Sequence, residues 1–197
     1  MIETLVLPGV LNIMRRIRLF GLVVYTLVSA CVTSDRPRLE AIQQLVDLPR
    51  FMGEWYVIGS IPIDMWFASE AGAHNSVERY VLRDDGKIIT NYTFRKDSFD
   101  GEKVEFNPVG WVHNVDNNAE WRMQFFWPFR SVYLIAYLDE SYQYTVIGVP
   151  NRRHVWIMSR QYDLSEEKYS HLLNVVTELG YDASLVQRIP QQWPDLY

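Results

Sequence analysis

The sequence predicts an all-β chain of eight short antiparallel strands, as an up-and-down barrel or a sandwich, followed by one α-helix. Three observations carry this. From Gly53 to Arg160, eight apolar or alternating segments recur at short, even spacing with turn residues between them. Gly53-Glu54-Trp55-Tyr56 opens the first segment, and Val155-Trp156-Ile157-Met158-Ser159-Arg160 forms the last. Beyond it, Tyr169, Leu172, Leu173, Val176 and Leu179 return at helical spacing. With 197 residues, the chain is one domain of ordinary size plus extensions. Apolar residues at 48% suffice for a real core, and aromatics at 14% suit a large apolar interior.

The first 30 residues read as a signal peptide. Arg15, Arg16 and Arg18 make a basic stretch, and Leu19 to Val28 an apolar one. The uncharged run to Ser34 is shorter than the ~20 residues of a membrane-spanning helix. Met14, just ahead of the arginines, is a better start than Met1. Val28-Ser29-Ala30-Cys31 resembles the bacterial lipobox, which implies cleavage before Cys31 and lipid on its thiol. Cys31 is the only cysteine, so an internal disulfide is excluded and the exported thiol needs a fate. Several acyl chains at ~0.8 kcal/mol per buried methylene would hold the protein firmly. Val32, not Asp, follows the cysteine; the resemblance then implies the outer membrane, periplasmic face. Losing residues 1–30 removes three arginines and one glutamate, taking the net charge from −5 to −7. No basic surplus or Lys/Arg-rich run remains, which argues against nucleic acid as a partner.

Residues 31–45 read as the lipidated cysteine and a tether, with a helical turn or two expected over Glu40 to Val46; the folded domain spans 46–197. The strands are expected at 53–61, 76–82, 87–94, 104–113, 120–126, 132–138, 142–149 and 154–160. Asp84-Asp85-Gly86 is a tight hairpin signal, and Pro108 should bulge the fourth strand. Met65-Trp66-Phe67, on the longest connection, suggests a lid, a membrane-touching edge, or a cluster packed on the barrel. Ser165 is a good helix N-cap, Glu166 and Glu167 suit the first turn, and Gly180 sits where a helix stops. The stripe should pack against the outside of the sheet, and 185–189 suits a short added strand.

Eight strands and a helix, with Gly53-Glu54-Trp55 and Arg160 at the two ends, resemble the lipocalin plan over residues 45–190. The similarity is to bacterial outer-membrane lipoprotein lipocalins above all, and extends to Arg83-Asp84-Asp85-Gly86, Tyr137-Leu138-Asp139 and Trp156 to Arg160. It implies an eight-stranded barrel with one C-terminal helix packed outside. It also implies that Trp55 packs under Arg160 as a cation–π closure of one end, with Gly53 beside it, in a structural role.

Alternation then assigns the interior. Trp121, Met123 and Phe125 share the apolar face of their strand. If Arg160 meets Trp55, then Trp156 and Met158 point inward on the last strand, and Val57 and Gly59 on the first. The 132–138 strand is apolar on both faces; the resemblance favours Tyr133, Ile135 and Tyr137 inside. For 76–82 the pattern leaves two faces open, Glu78 with Tyr80 or Val77 with Val81. These inward residues either fill the core or line a cavity for one small ligand, and the resemblance favours the cavity.

Counting hairpins from a closed end at Trp55 brings Arg95, Lys96, Arg130, Arg152 and Arg153 to the open rim, where the acids Asp64, Glu70, Asp97 and Asp100 temper the positive charge. There the cations would meet an anionic headgroup while its chain enters the barrel. The resemblance thus implies a lipid-binding protein that stores or transports fatty acids or lysophospholipids for membrane maintenance. The alternatives are a filled barrel that binds partners, or another apolar cargo such as a tetrapyrrole. No metal spacing links His74, His113, His154 and His171, no Ser-centred nucleophile elbow occurs, and no cofactor is implied. These residues point to a binding protein rather than an enzyme. The family's dimers, with Trp111 expected outward, leave a homodimer open.

Overall fold

The computed structural model describes residues 36–65 and 68–194. The chain divides into two compact units, Met1–Pro37 and Arg38–Tyr197, and the second carries the fold. The leader, Cys31 and the Trp66-Phe67 pair lie outside the described residues.

The first regular element of the second unit is one helical turn, α1 (Leu48–Phe51), and the chain then closes into an antiparallel barrel. Strand β1 (Gly53–Ile61) is followed by a small hairpin of two-residue strands, β2 (Asp64–Met65) and β3 (Ala68–Ser69). The barrel continues through β4 (Ala73–Leu82), β5 (Lys87–Lys96), β6 (Lys103–Phe106) with β7 (Val109–Val112), and β8 (Glu120–Phe126). It ends with β9 (Phe129–Leu138), β10 (Tyr144–Gly148) and β11 (Val155–Ser159). Each barrel strand pairs with its neighbour in sequence, and β11 returns to pair with β1. Closure gives β1 two partners, β4 on one side and β11 on the other, so no edge remains there. The fourth barrel strand is split by Asn107-Pro108. Its halves β6 and β7 both pair with β5, and Thr90 donates its N–H to the Pro108 carbonyl across the gap at 3.1 Å.

The long helix forms where its caps require. In α2 (Glu166–Glu178), the Ser165 hydroxyl accepts the Lys168 N–H, and Gly180 takes the positive φ of 85° that ends it. Tyr169, Leu172, Val175 and Val176 are its buried residues. They pack with Ile58, Leu134, Ala136, Val146, Val155 and Ile157 on the outer face of the barrel. Val175 joins the stripe, and Leu173 is only half-buried at its margin. A short strand, β12 (Gln187–Arg188), then pairs with β1.

Two expectations ahead of the barrel are corrected. Residues 38–45 are not a tether: Leu39 is buried, its N–H bonds the Pro150 carbonyl, and the Ile42 N–H bonds the Ile135 carbonyl. Glu40 to Val46 is not helical either. The helical turn α1 comes just after it, capped by the Asp47 carboxylate accepting the Arg50 N–H. The backbone of the earlier stretch bonds the barrel wall instead of itself.

The floor is built around α1 and Arg160. The guanidinium lies 3.8 Å from the Trp55 ring centroid. It donates to four backbone carbonyls, Glu54 at 2.6 Å, Met52 at 2.8 Å, Phe51 at 2.9 Å and Arg50 at 3.1 Å. The Trp55 indole N–H donates to the Phe51 carbonyl at 2.9 Å. One cation thereby satisfies the carbonyls at the end of α1 and fixes Trp55 beneath it. Burial lowers the Arg160 pKa to about 10, which leaves it charged at neutral pH. Gly53, with φ 94°, brings its backbone against Arg160: a Cβ would sit 3.4 Å from a guanidinium nitrogen. Arg160→Ala should cost about 3 kcal/mol, the range for losing charge-assisted bonds that leave carbonyls unpaired, measured by urea unfolding; Arg160→Lys, with no fork, should recover less than half.

Candidate functional site

The barrel interior is two zones. The lower zone is solid. Phe51, Trp55, Tyr80 and Trp121 are at most 1% exposed, and their rings meet at 5.1–5.7 Å. Tyr133 stacks on Trp121 at 5.5 Å, and its hydroxyl hydrogen-bonds that of Tyr80. Val57, Ile135 and Met158 belong to the same buried cluster. Above this layer lies a cavity of about 210 Å³. Its wall includes Ile63, Tyr92, Phe106, Met123, Tyr133 and Trp156, with Phe125, Phe126 and Phe129 at its lip. The lip is partly exposed, Phe125 by 43% and Phe129 by 77%, and Trp127 between them by 86%.

Of the ten residues assigned inward, Met123, Phe125, Tyr133 and Trp156 line the cavity. Val57, Trp121, Ile135 and Met158 are inside but packed in the solid zone. Gly59 and Tyr137 are corrections. Gly59 lies on the outer face: a Cβ there would meet the Tyr169 hydroxyl, Val186 and Ile157. Tyr137 packs with the outer cluster under the helix. Both errors have one cause. The β1–β11 register shifts between Val57 and Gly59, and the β9–β10 register between Val146 and Ile147. Each irregularity inserts a residue and reverses the alternation beyond it. Ser60, paired with Trp156, takes the inward position that alternation gives to Gly59.

The rim cations are a third correction. None of Arg95, Arg130, Arg152 and Arg153 lines the cavity. Arg95 donates to the Gly101 carbonyl and borders a groove with Phe99 and Trp193. Arg130 stacks on Trp111 at 4.2 Å. Arg152 donates to the Leu179 carbonyl at the end of α2, a favourable place for a cation. Arg153 is exposed. Long cationic side chains at turns find carbonyls and aromatic faces on the outer wall.

What lines the cavity instead is acidic. The register resolves β4: Ser76, Glu78 and Tyr80 face inward, and Val81 is 51% exposed. Glu78 is 8% exposed and Glu70 9%. Glu70 Oε2 accepts the Ile63 N–H at 3.0 Å and the Trp156 indole N–H at 3.2 Å. Burial raises the Glu70 pKa to about 7, against the pull of those two bonds. Burial raises Glu78 further, to about 8, with Tyr80 opposing and the Glu70 charge adding. His154 also lines the wall, its Nδ1 3.0 Å from the Pro62 carbonyl. Glu78 is a functional candidate that strand alternation leaves open, and Glu70, a rim acid by hairpin counting, proves to be buried in the cavity wall. The signal available in sequence is the face shared by Glu78 and Tyr80.

A closed barrel with a floor sealed by Trp55 and Arg160, an outside helix and an apolar cavity at the open end defines a calyx-type binding protein. A family model for the lipocalin-like domain matches residues 46–191. The chain belongs to the lipocalin family. It is 30% identical over 159 residues to the outer membrane lipoprotein Blc of Escherichia coli K12, covering 80% of this chain and 86% of that protein. It is 29% identical over 172 residues to temperature-induced lipocalin-1 of Arabidopsis thaliana, with the same coverage, 80% and 86%. Among solved structures it shares its fold with the cockroach allergen Per a 4, at a TM-score of 0.58 and 14% identity over 80% of this chain and 96% of that one. Insecticyanin of Manduca sexta gives 0.55 and 17%, over 82% and 86%.

The raised carboxyl pKa values make stability depend on pH. An unfolded glutamate titrates near 4.5, so between there and about 8 the folded state holds the extra protons. The stability from the neutral acids is full below pH 4.5 and is lost as pH rises through about 7 and 8. Thermal melts should therefore show falling stability from about pH 5 to 8.5, at up to ~1.4 kcal/mol per titrating group per pH unit. Glu78→Gln should flatten the slope.

Proposed function

We propose that this protein binds single-chain lipids, fatty acids or lysophospholipids, and stores or moves them for membrane maintenance, held at the periplasmic face of the outer membrane through lipid on Cys31. The observation that carries the reading is the cavity: apolar and aromatic along most of its wall, sealed below, and open at an aromatic lip. At about 210 Å³ it lies below the ~300–1,000 Å³ of common ligand pockets. That favours one narrow chain over a tetrapyrrole, and a void of this size argues against a filled barrel. Each methylene buried there contributes ~0.8 kcal/mol, against association costs of ~4–15 kcal/mol. A chain of about fifteen methylenes, partly covered by the lip, then reaches micromolar affinity.

Of the two ligand classes, the wall favours the lysophospholipid, because among the described residues no Lys or Arg lines the cavity to meet a free carboxylate. The anchoring reading is supported by the lipobox residues and by the similarity to a relative named an outer membrane lipoprotein. Binding rather than catalysis is supported by family membership and by the position of the sole cysteine ahead of the barrel.

Native mass spectrometry and tryptophan quenching on protein lacking the leader test the calyx. Saturable binding of a lysophospholipid is expected, and Ser131→Trp, which fills the cavity, should abolish it without lowering the melting temperature. No binding at tens of micromolar, a limit of ~6 kcal/mol, would mean that the function lies elsewhere. For the anchor, metabolic labelling with an alkyne fatty acid should tag the wild type and leave Cys31→Ser unlabelled and released from the membrane fraction.

A further inference from the structure

The polarity of the calyx is the reverse of what a headgroup-outward lipid needs. A ligand that leaves its head at the rim and sends its tail down wants polar groups at the mouth and an apolar depth. Here the lip is Phe125, Phe126 and Phe129, while two carboxyls sit inside on the wall. Glu78 lies well below the mouth, opposite Trp55 on β1 and Tyr92 on β5. Glu70 sits higher, held to Trp156.

The other polar groups of the wall are an imidazole and hydroxyls, with no fixed cation among them. The Pro62 carbonyl can only accept, so His154 Nδ1 carries the proton, and its Nε2 is an acceptor in the neutral ring. Ser131 and the Tyr92 and Tyr133 hydroxyls complete the polar lining, with no Lys or Arg among the described residues of the wall. Both bonds to Glu70 fall on one oxygen, Oε2. A structural polar group at Glu78 would be served as well by a glutamine, which neither titrates nor repels Glu70. Two acids sharing one apolar cavity cost stability unless something cationic arrives between them.

We propose that the calyx selects single-chain amphiphiles with an ammonium head, taken in head first so that the ammonium lies between Glu70 and Glu78 and the chain leaves through the aromatic lip. This rests on the lipid-binding reading and narrows it to one head chemistry and one orientation. A cation between the two carboxyls favours their ionised forms and offsets their mutual repulsion. A carboxylate head in the same place would add a third acid to the pair and meet no Lys or Arg among the described residues of the wall. Binding of the ammonium displaces protons from the acids, so its affinity rises with pH. The groups that face the acids are Tyr80, Tyr92, Tyr133 and His154, with Arg160 below near Tyr80. Burial pushes the three tyrosines above their usual range, while it raises Glu70 to about 7 and Glu78 to about 8, inside the window from about pH 6 to 8.5.

The test is calorimetry on the purified protein with dodecylamine, dodecanol and dodecanoate, three ligands that share a chain and differ in head. At about pH 8, dodecylamine should bind at least about ten-fold more tightly than dodecanoate, a difference of ~1.4 kcal/mol, with dodecanol between them. Its affinity should fall as pH is lowered to 6. Glu78→Gln with Glu70→Gln should bring the amine and the carboxylate to within about three-fold, roughly half that free-energy gap or less, while dodecanol still binds and so reports an intact calyx. Equal binding of all three heads, or an unchanged ratio in the double variant, would overturn the head selection and leave the lipid reading standing. A lysophospholipid that binds where dodecylamine does not would do the same. Failure of all three and of the lysophospholipid would overturn both.

Discussion

Closure of the barrel depends on β1 serving two partners of different register. Its first half, Gly53 to Tyr56, pairs with β4, and Tyr56 onward pairs with β11. Between Val57 and Gly59 the strand carries an extra residue. That extra residue adds local twist, which a strand needs when it must bend from one neighbour to the other. It also puts Ile58 and Gly59 together on the helix side. Gly59 lets the Tyr169 hydroxyl come close to the wall, where a Cβ would stand 3.0 Å from it. The irregularity that closes the sheet therefore also seats the helix.

The floor is tied to the same strand. Arg160 follows β11 directly, so pairing of β11 with β1 delivers its guanidinium to Trp55 and to the carbonyls of α1. These contacts join residues about one hundred positions apart in the chain, and they form only when the ring of strands is complete. With the floor sealed, the aromatic layer of Phe51, Trp121 and Tyr80 fills the lower barrel. What space remains lies in the upper half. The position of the cavity is thus set by closure rather than by the residues that line it.

Much of this is legible in sequence. The bounds of β1 and β8, the break at Pro108, the Asp84-Asp85-Gly86 hairpin and the Ser165 cap all follow from local chemistry, and local chemistry is what a sequence displays. The faces of Trp121 and Met123 follow too, since their strand alternates without interruption up to Met123. Alternation misplaces Gly59 and Tyr137 because a bulge costs one residue and leaves no mark of composition. The turn arginines escape for a different reason. Turn position fixes which end of the barrel a residue occupies, but a long side chain chooses between mouth and outer wall by its partners. Arg130 finds Trp111, and Arg152 finds the end of α2.

Glu78 shows the limit of reading by polarity. In an alternating strand a glutamate is counted as solvent-facing, and Val77 with Val81 offers an apolar alternative. The packing resolves this in favour of Tyr80, whose ring completes the floor layer against Phe51 and Trp121. Once Tyr80 is inside, the period of two carries Glu78 and Ser76 in with it. The acid is therefore buried as a consequence of where its neighbour must go, and the carboxyl stays neutral at some cost in stability. A fold that needed only to fill this position could do so with Gln or Met. That an ionisable group stands there, lining the cavity beside a second acid, is the feature on which the proposed head selection rests.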